Sequence, residues 1–465
     1  MTPSAGIELA GLTALRGPLA FIRAVPGLAS HDRVALIRSD GTSCSGRIVS
    51  LTEQAAVVEL FGSTDGVALG DARLRFHGAP FRMGVGRELL GRVFDGLGNP
   101  RDGLPPPLAV EERAIEGAAI NPCRREYPRD FLETGVSAID LMTSVVLGQK
   151  LPIFTEAGLP HDALALQIVG QARAPGVDAG AFAVVFAALG LPRAVALRYQ
   201  EAFRATGALG RMAAFMNLAD DPAAERLITP RCALTAAEYL AFDCGMHVLV
   251  ILHDITNYAE SLREVSSARG EVPSRKGYPG YLYSDLASIF ERAGRIRGRP
   301  GSLTQIPIVT MPSGDITHPI PDLTGYVTEG QIVLDRGLDR RGIYPPIAVL
   351  PSLSRLMTDG IGAGRTRADH EDVARQLYAA CARVDRARSL QSIIGRDELS
   401  DEERRYLRFG ELFECTFLRQ GADETRTIER TLEAAWRLLA TLPATELTRI
   451  APEWIERYRP PSEGT

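Results

Sequence analysis

Residues 246–266 read MHVLVILHDITNYAESLREVS. Five consecutive apolar residues, Val248–Leu252, run directly into His253 and Asp254. A short unbroken run of aliphatic residues has the length of a buried core strand. In open α/β sheets, a carboxylate at the C-terminal end of such a strand is where magnesium–phosphate chemistry sits. The commoner case is an aspartate that caps or is solvated at the strand end. A His-Asp pair would also suit a metal phosphohydrolase. That reading is rejected because the pair terminates a strand and no other His/Asp cluster has ligand spacing. The remaining histidines, at 31, 77, 161, 247, 318 and 370, stand apart in the chain and read as structural.

The same texture extends on both sides of this stretch. Leu151–Phe154 is a short apolar run, followed by a loop and a helical stretch over 162–172. Residues 181–189 (AFAVVFAAL) predict a buried strand, 193–206 a helix, and 235–244 a helix that feeds the strand at 247–252. Apolar runs alternating with helices predict βαβ units around a parallel sheet. Toward the N-terminus the pattern is different. Short strands at 33–38, 43–50 and 55–61, punctuated by Ser39-Asp40-Gly41, predict a small barrel or sandwich. Gly- and Pro-rich hairpin signals such as FDGLGNPRDGLPPP (94–107) mark the way into the central part. The last hundred residues are mostly helical. Val373, Leu377, Ala380, Cys381 and Val384 share one helical face, Ser400 and Glu403 form a capping box, and 427–442 is amphipathic.

At 465 residues the chain is too long for one ordinary domain. Its 45% hydrophobic content argues against disorder, and a net charge of −5 gives no basic field for nucleic acid. No apolar run approaches the roughly 18–20 residues needed to span a bilayer, and MTPSAGIELAGL lacks a signal-peptide pattern. Six scattered cysteines without C-x-x-C spacing fit reduced thiols. The expectation is a soluble intracellular chain that meets a membrane only through partners. Only two lysines occur, Lys150 and Lys276, against 50 arginines.

The strand–loop–helix at 151–172 has the layout of a phosphate-binding loop. Such loops need glycines for close backbone approach, a lysine for the β and γ phosphates, and a Ser or Thr for magnesium. Here the loop reads Thr155-Glu156-Ala157-Gly158-Leu159-Pro160-His161-Asp162. Taken alone it is an ordinary strand–helix connection.

Taken together, three segments resemble the non-catalytic B subunit of V/A-type rotary ATPases. They are LITPRCALTAAEYLAFDCGMHVLVILHDITNYAESLREVSSARGEVPSRKGYPGYLYSDLASIFERAGR (227–295), SLTQIPIVTMPSGDITHPIPDLTGYVTEGQIVLDR (302–336) and IYPPIAVLPSLSRLM (343–357). The resemblance covers nearly the whole chain and is thinnest in the first 75 residues. It implies an N-terminal β-barrel (1–78), a central RecA-like α/β domain with a degenerate phosphate loop (79–360), and a C-terminal helical domain (361–465). It also implies a ring of three such chains alternating with three catalytic A subunits, in contact with central and peripheral stalks on the cytoplasmic face of a membrane. The chain would have no cofactor of its own. Mg-ATP or Mg-ADP would sit at interfaces with the A subunit, and the ion moved would be a proton or sodium.

Residue by residue, the resemblance puts Pro160 where catalytic relatives have the last loop glycine, His161 at the lysine, and Asp162 at the Ser/Thr. Glu156 and Asp162 bring two carboxylates toward any triphosphate. The strand at 183–189 runs into Gly190-Leu191-Pro192-Arg193, with no acid to orient a water. Gly158, Leu159, Pro160, His161, Asp162 and Asp254 would form only a degenerate nucleotide site, with Asp254 holding magnesium if nucleotide enters. Arg355, following Ser354, would point into the neighbouring A subunit's site as an arginine finger. Tyr278 and Tyr281, in Gly277-Tyr278-Pro279-Gly280-Tyr281, would be interface residues beside Ser354, a core aromatic cluster being the alternative. A stand-alone pseudo-ATPase serving as scaffold or sensor is the competing function. A self-sufficient RecA-like ATPase is excluded by the missing loop lysine.

Overall fold

The computed structural model describes residues 7–460. Seven strands between Glu8 and Pro80 form one antiparallel sheet. Its two outer strands, Glu8–Ala10 and Ala14–Arg16, are consecutive in the chain, and the three residues joining them bridge the seam. Gly11 and Leu12 donate backbone hydrogen bonds to Ala72 and Leu69 on one side, and Thr13 donates to Phe21 on the other. The sheet therefore curls into a barrel, which leaves few unpaired strand edges. Alternation sets its interior: Val34, Leu36, Ile48, Val58, Leu60 and Leu74 are fully buried.

The central sheet comprises β1 (Arg92–Asp95), β2 (Ile153–Thr155), β3 (Phe182–Leu191), β4 (Met212–Leu218), β5 (His247–His253), β6 (Ser302–Thr310), β7 (Gly330–Leu334) and β8 (Ile347–Ser354). Their spatial order is β8-β7-β2-β6-β5-β3-β4-β1. Along this order all neighbours are parallel except the antiparallel pair β7–β8, and a short strand at Gly294–Ile296 adds antiparallel to β6. Helices α1 (His161–Gln171), α2 (Arg193–Ala205), α3 (Ala223–Glu238) and α4 (Ile255–Ala268) follow β2, β3, β4 and β5. With both faces covered, β3 and β4 are buried at every residue, which is why β3 reads as an unbroken apolar run. β2 and β5 lie on either side of β6, so their C-terminal ends open at the same edge of the sheet.

The structure adds β6, β7 and β8 to the sequence-based expectation, and two further elements differ from it. β4 (MAAFMNL) is an addition to it, because Ala and Met carry little strand signal. The helix expected at 235–244 begins twelve residues earlier, at Ala223, runs through Pro230, and passes into a π-helical turn at Tyr239–Asp243. It is buried on nearly every side, including Glu225 and Arg231, so it shows no amphipathic stripe.

Helices α5 (His370–Ile394), α6 (Asp401–Leu412) and α7 (Ile428–Leu439) form the C-terminal bundle. Val373, Leu377, Ala380, Cys381 and Val384 of α5 are buried in one core with Tyr406, Phe409, Leu432 and Trp436. That core continues into the central domain through Leu132, Val136 and Ile139. Barrel and central domain are joined by Phe61, which packs edge-on against Phe81, and by buried charge. Glu59, fully buried, accepts from Arg47 (2.9 Å) and Arg269 (3.1 Å), and Arg47 also reaches Glu116 (2.8 Å). Among the described residues no helix is long and apolar enough to cross a membrane.

Candidate functional site

β2 ends at Thr155, and the chain turns through Glu156–Pro160 into α1. Gly158 takes φ +85°, the left-handed conformation that makes this turn possible. The loop is tied down from within. Arg336 donates to the Glu156 carboxylate (2.8 Å) and to the Ala157 carbonyl (2.7 Å). Leu159 turns inward and is 4% exposed. Pro160 occupies the N-cap of α1 without a side-chain cap.

His161 and Asp162 open α1 and meet His253, the last residue of β5. His253 Nε2 lies 2.8 Å from Asp162 Oδ1, and Tyr199 donates to the same oxygen (3.1 Å). The His161 and His253 rings are 5.3 Å apart, and His161 Nδ1 is 3.3 Å from Thr155 Oγ1. Burial and then the adjacent His253 lower the His161 pKa. Burial works against ionisation of Asp162, yet the hydrogen bond and charge of His253 hold its pKa below the usual range. This corrects the expectation that the histidines stand apart: sequence spacing cannot reveal a strand end and a helix start that the sheet brings to one point. The signal available was that both motifs lie at C-terminal strand ends, the shared edge of a parallel sheet. Tyr199 and Arg336 carried no comparable signal.

Asp254 is 5% exposed, and its Oδ1 accepts from the backbone of Thr256 (2.8 Å) and Thr310 (3.2 Å). It caps α4 and ties it to β6, so the capping alternative describes it better than the expected magnesium ligand. Neither lysine is free to serve the loop. Lys150 is buried against Glu291, with Glu329 3.6 Å away, and Lys276 pairs with Asp315 (3.4 Å). The residues present do not fit a magnesium-bound triphosphate: the lysine and hydroxyl are replaced, the loop is pinned, and Asp162 is held by its own chain.

Arg355 lies at the opposite kind of site. It directly follows β8, the outermost strand of the sheet, and its side chain is exposed. Among the described residues no carboxylate lies within ion-pair distance of it; its guanidinium makes one long contact, 3.5 Å to the Thr328 carbonyl. It lines a surface cleft of 330 Å³ with Gln331, Pro351 and Leu353. Ser354 is buried, accepts from Gln149 (2.9 Å) and donates to the Ser144 carbonyl (2.9 Å). The Arg355 N–H donates to Glu329 O (3.0 Å). The backbone under the guanidinium is therefore anchored, while the charge is left uncommitted.

Residues 135–354 match the ATP synthase alpha/beta family nucleotide-binding domain, and 359–459 match the C-terminal domain of V and A type ATP synthase. The chain is 54% identical to V-type ATP synthase beta chain 2 of Treponema pallidum, over 97% of this chain and 94% of that one. It is also 54% identical to the B subunit of the A-type ATP synthase of Aeropyrum pernix, over 97% and 98%. The chain belongs to the V/A-type ATP synthase B-subunit family. The solved structure of ATP synthase subunit NeqB from Nanoarcheaum equitans superposes with a TM-score of 0.73 at 38% identity, covering 92% of this chain and all of that one.

Within this B-subunit fold the tyrosine motif divides. Tyr278 is 3% exposed, donates to Glu260 and packs edge-on against His318. It is a core aromatic of its own chain, which corrects its assignment as an interface residue. Ser354 is corrected likewise, since its hydroxyl is spent inside the fold. Tyr281 and Tyr283 are exposed, and Tyr281 donates to Glu271 (2.9 Å).

Proposed function

We propose that this B-family chain is the non-catalytic partner in an alternating ring with catalytic A subunits, three of each. In this reading it lends Arg355 to the ATP site of the adjacent A subunit. The observation that carries the reading is the uncommitted guanidinium of Arg355 on an anchored, exposed strand end, in a chain whose own loop lacks the lysine and hydroxyl of a catalytic phosphate loop. In trans, a planar cation beside the γ-phosphate stabilises charge spread over the transferred oxygens. Mg-ATP or Mg-ADP sits at the A–B interface and is held by the A subunit. The C-terminal helices work against the central stalk, and part of the N-terminal half docks a peripheral stalk. The complex couples ATP synthesis or hydrolysis to movement of protons or sodium, with this chain on the cytoplasmic face and no contact with the ion.

The test is ATP turnover by the A subunit reconstituted with this chain, wild type against Arg355→Ala, with ring assembly checked for both. Turnover is expected to fall by roughly 10³ or more with assembly retained. An assembled variant ring at the wild-type rate would make Arg355 structural and favour the scaffold reading.

A further inference from the structure

We infer that His161, Asp162 and His253 form a binding site for a divalent transition-metal ion of the zinc class. Each contributes one donor atom, and the three donors lie within 4.8 Å of one another. His253 Nε2 and Asp162 Oδ1 are 2.8 Å apart, and His161 Nε2 is 3.9 Å from the same oxygen. Tetrahedral coordination with bonds of about 2.0–2.1 Å needs donors about 3.3 Å apart. Both spacings to Asp162 Oδ1 fall within about 0.6 Å of that value, and the third donor pair lies within 4.8 Å, so side-chain rotation can bring all three onto one ion.

The surroundings prepare the donors. His161 Nδ1 faces Thr155 Oγ1 (3.3 Å); with its proton directed there, Nε2 presents a lone pair on the Asp162 side. Tyr199 holds the Asp162 carboxylate through Oδ1 (3.1 Å), the kind of outer contact that orients a ligating oxygen. His253 is 2% exposed, and its Nδ1 is buried with no hydrogen-bond partner. Among the described residues Asp162 is thus the only polar anchor of the ring, and that single contact can be exchanged for a bond from Nε2 to an ion. The side chains of His161 and Asp162 are 15% and 33% exposed, so an ion has a route from solvent and water can complete the shell. On binding, the neutral His253 ring changes tautomer: by exchange with water the proton leaves Nε2 and one is taken up at Nδ1, so the ring stays neutral and the Nε2 lone pair is free for the metal. Two imidazoles and one carboxylate favour zinc-like ions, whereas magnesium wants an all-oxygen shell. The ion would occupy the mouth of the degenerate loop and join the end of β5 to the start of α1. This inference does not depend on the role of Arg355.

The experiment uses the untagged full chain, stripped with chelator, in a Cys123→Ser/Cys415→Ser background that removes the two exposed thiols. Co²⁺ is titrated as a spectroscopic probe and then displaced with Zn²⁺. The expected result is one equivalent with the intense visible absorption of four- or five-coordinate Co²⁺, abolished by Zn²⁺. His161→Gln and His253→Gln should each weaken binding at least as much as the roughly 10–100-fold that follows loss of an outer contact alone. His77→Gln, in the barrel, should leave it unchanged. If His253→Gln does not fold, the partly exposed His161 still decides the matter. No saturable equivalent, or binding indifferent to the His161 and His253 substitutions, would overturn the site.

Discussion

His370 opens α5 and stands between two domains. Its Nε2 is 3.2 Å from the Leu141 carbonyl in the central domain, its Nδ1 is 3.0 Å from Thr366 Oγ1, and its ring meets Phe131 edge-on. Burial pushes its pKa down from 6.5 to about 4. An unfolded chain takes up this proton below pH 6.5, and the folded chain does not until near pH 4. The stabilising contribution is therefore complete above pH 6.5 and is lost as the pH falls toward 4. At about 1.4 kcal/mol per pH unit, it amounts to about 3 kcal/mol. Comparison of melting temperatures at pH 7.5 and pH 5 is expected to show a markedly smaller gap for His370→Asn than for the wild type. An equal gap would show that His370 is already charged in the fold. Arg355 is the reverse case at this scale, an exposed charge with no carboxylate within ion-pair distance among the described residues, on a backbone that is held in place.

At the scale of elements, the helices of the C-terminal bundle begin where their side chains dictate. Ser400 Oγ accepts from the Glu403 N–H (3.2 Å), while the Glu403 carboxylate accepts from the Ser400 N–H (2.8 Å). This satisfies two of the unpaired donors at the start of α6. Ser400→Ala is expected to cost about 1 kcal/mol, seen as a lower denaturant midpoint with an unchanged slope. A changed slope would instead point to loss of bundle packing. Thr427 caps α7 by a single hydrogen bond from the Arg430 N–H, and Asp254 caps α4. The capping boxes and amphipathic faces were legible because they are local. α3 was not, because burial on every side erases the periodicity on which such a reading relies.

At the scale of the whole molecule, the proposed division of catalysis between chains rests on what this chain's own loop lacks. The loop lacks its lysine and hydroxyl, and β3 runs into Gly190-Leu191-Pro192-Arg193 without a carboxylate to orient water. Restoring the loop alone, as Pro160→Gly/His161→Lys/Asp162→Thr, is therefore expected to leave the isolated chain without ATP turnover above background. Steady-state phosphate release would check this. Measurable turnover would mean that another group on this chain orients the water, and that the missing carboxylate is not decisive.

The sequence by itself determined the three-part architecture, the α/β character of the middle, the incompleteness of the phosphate loop and the candidacy of Arg355. Each of these rests on residue types at short spacing: apolar runs, a missing lysine, a capping box, a continuous family resemblance. Only the tertiary structure decided which side chains face which. It turned Tyr278 and Ser354 into the fold, put Arg336 on the loop, assigned Asp254 to α4, and joined His253 to His161 and Asp162 across 91 positions of chain. The physical reason is the parallel sheet: it sets the ends of distant strands side by side, and the register that does so is fixed by packing on both faces, which no local spacing records.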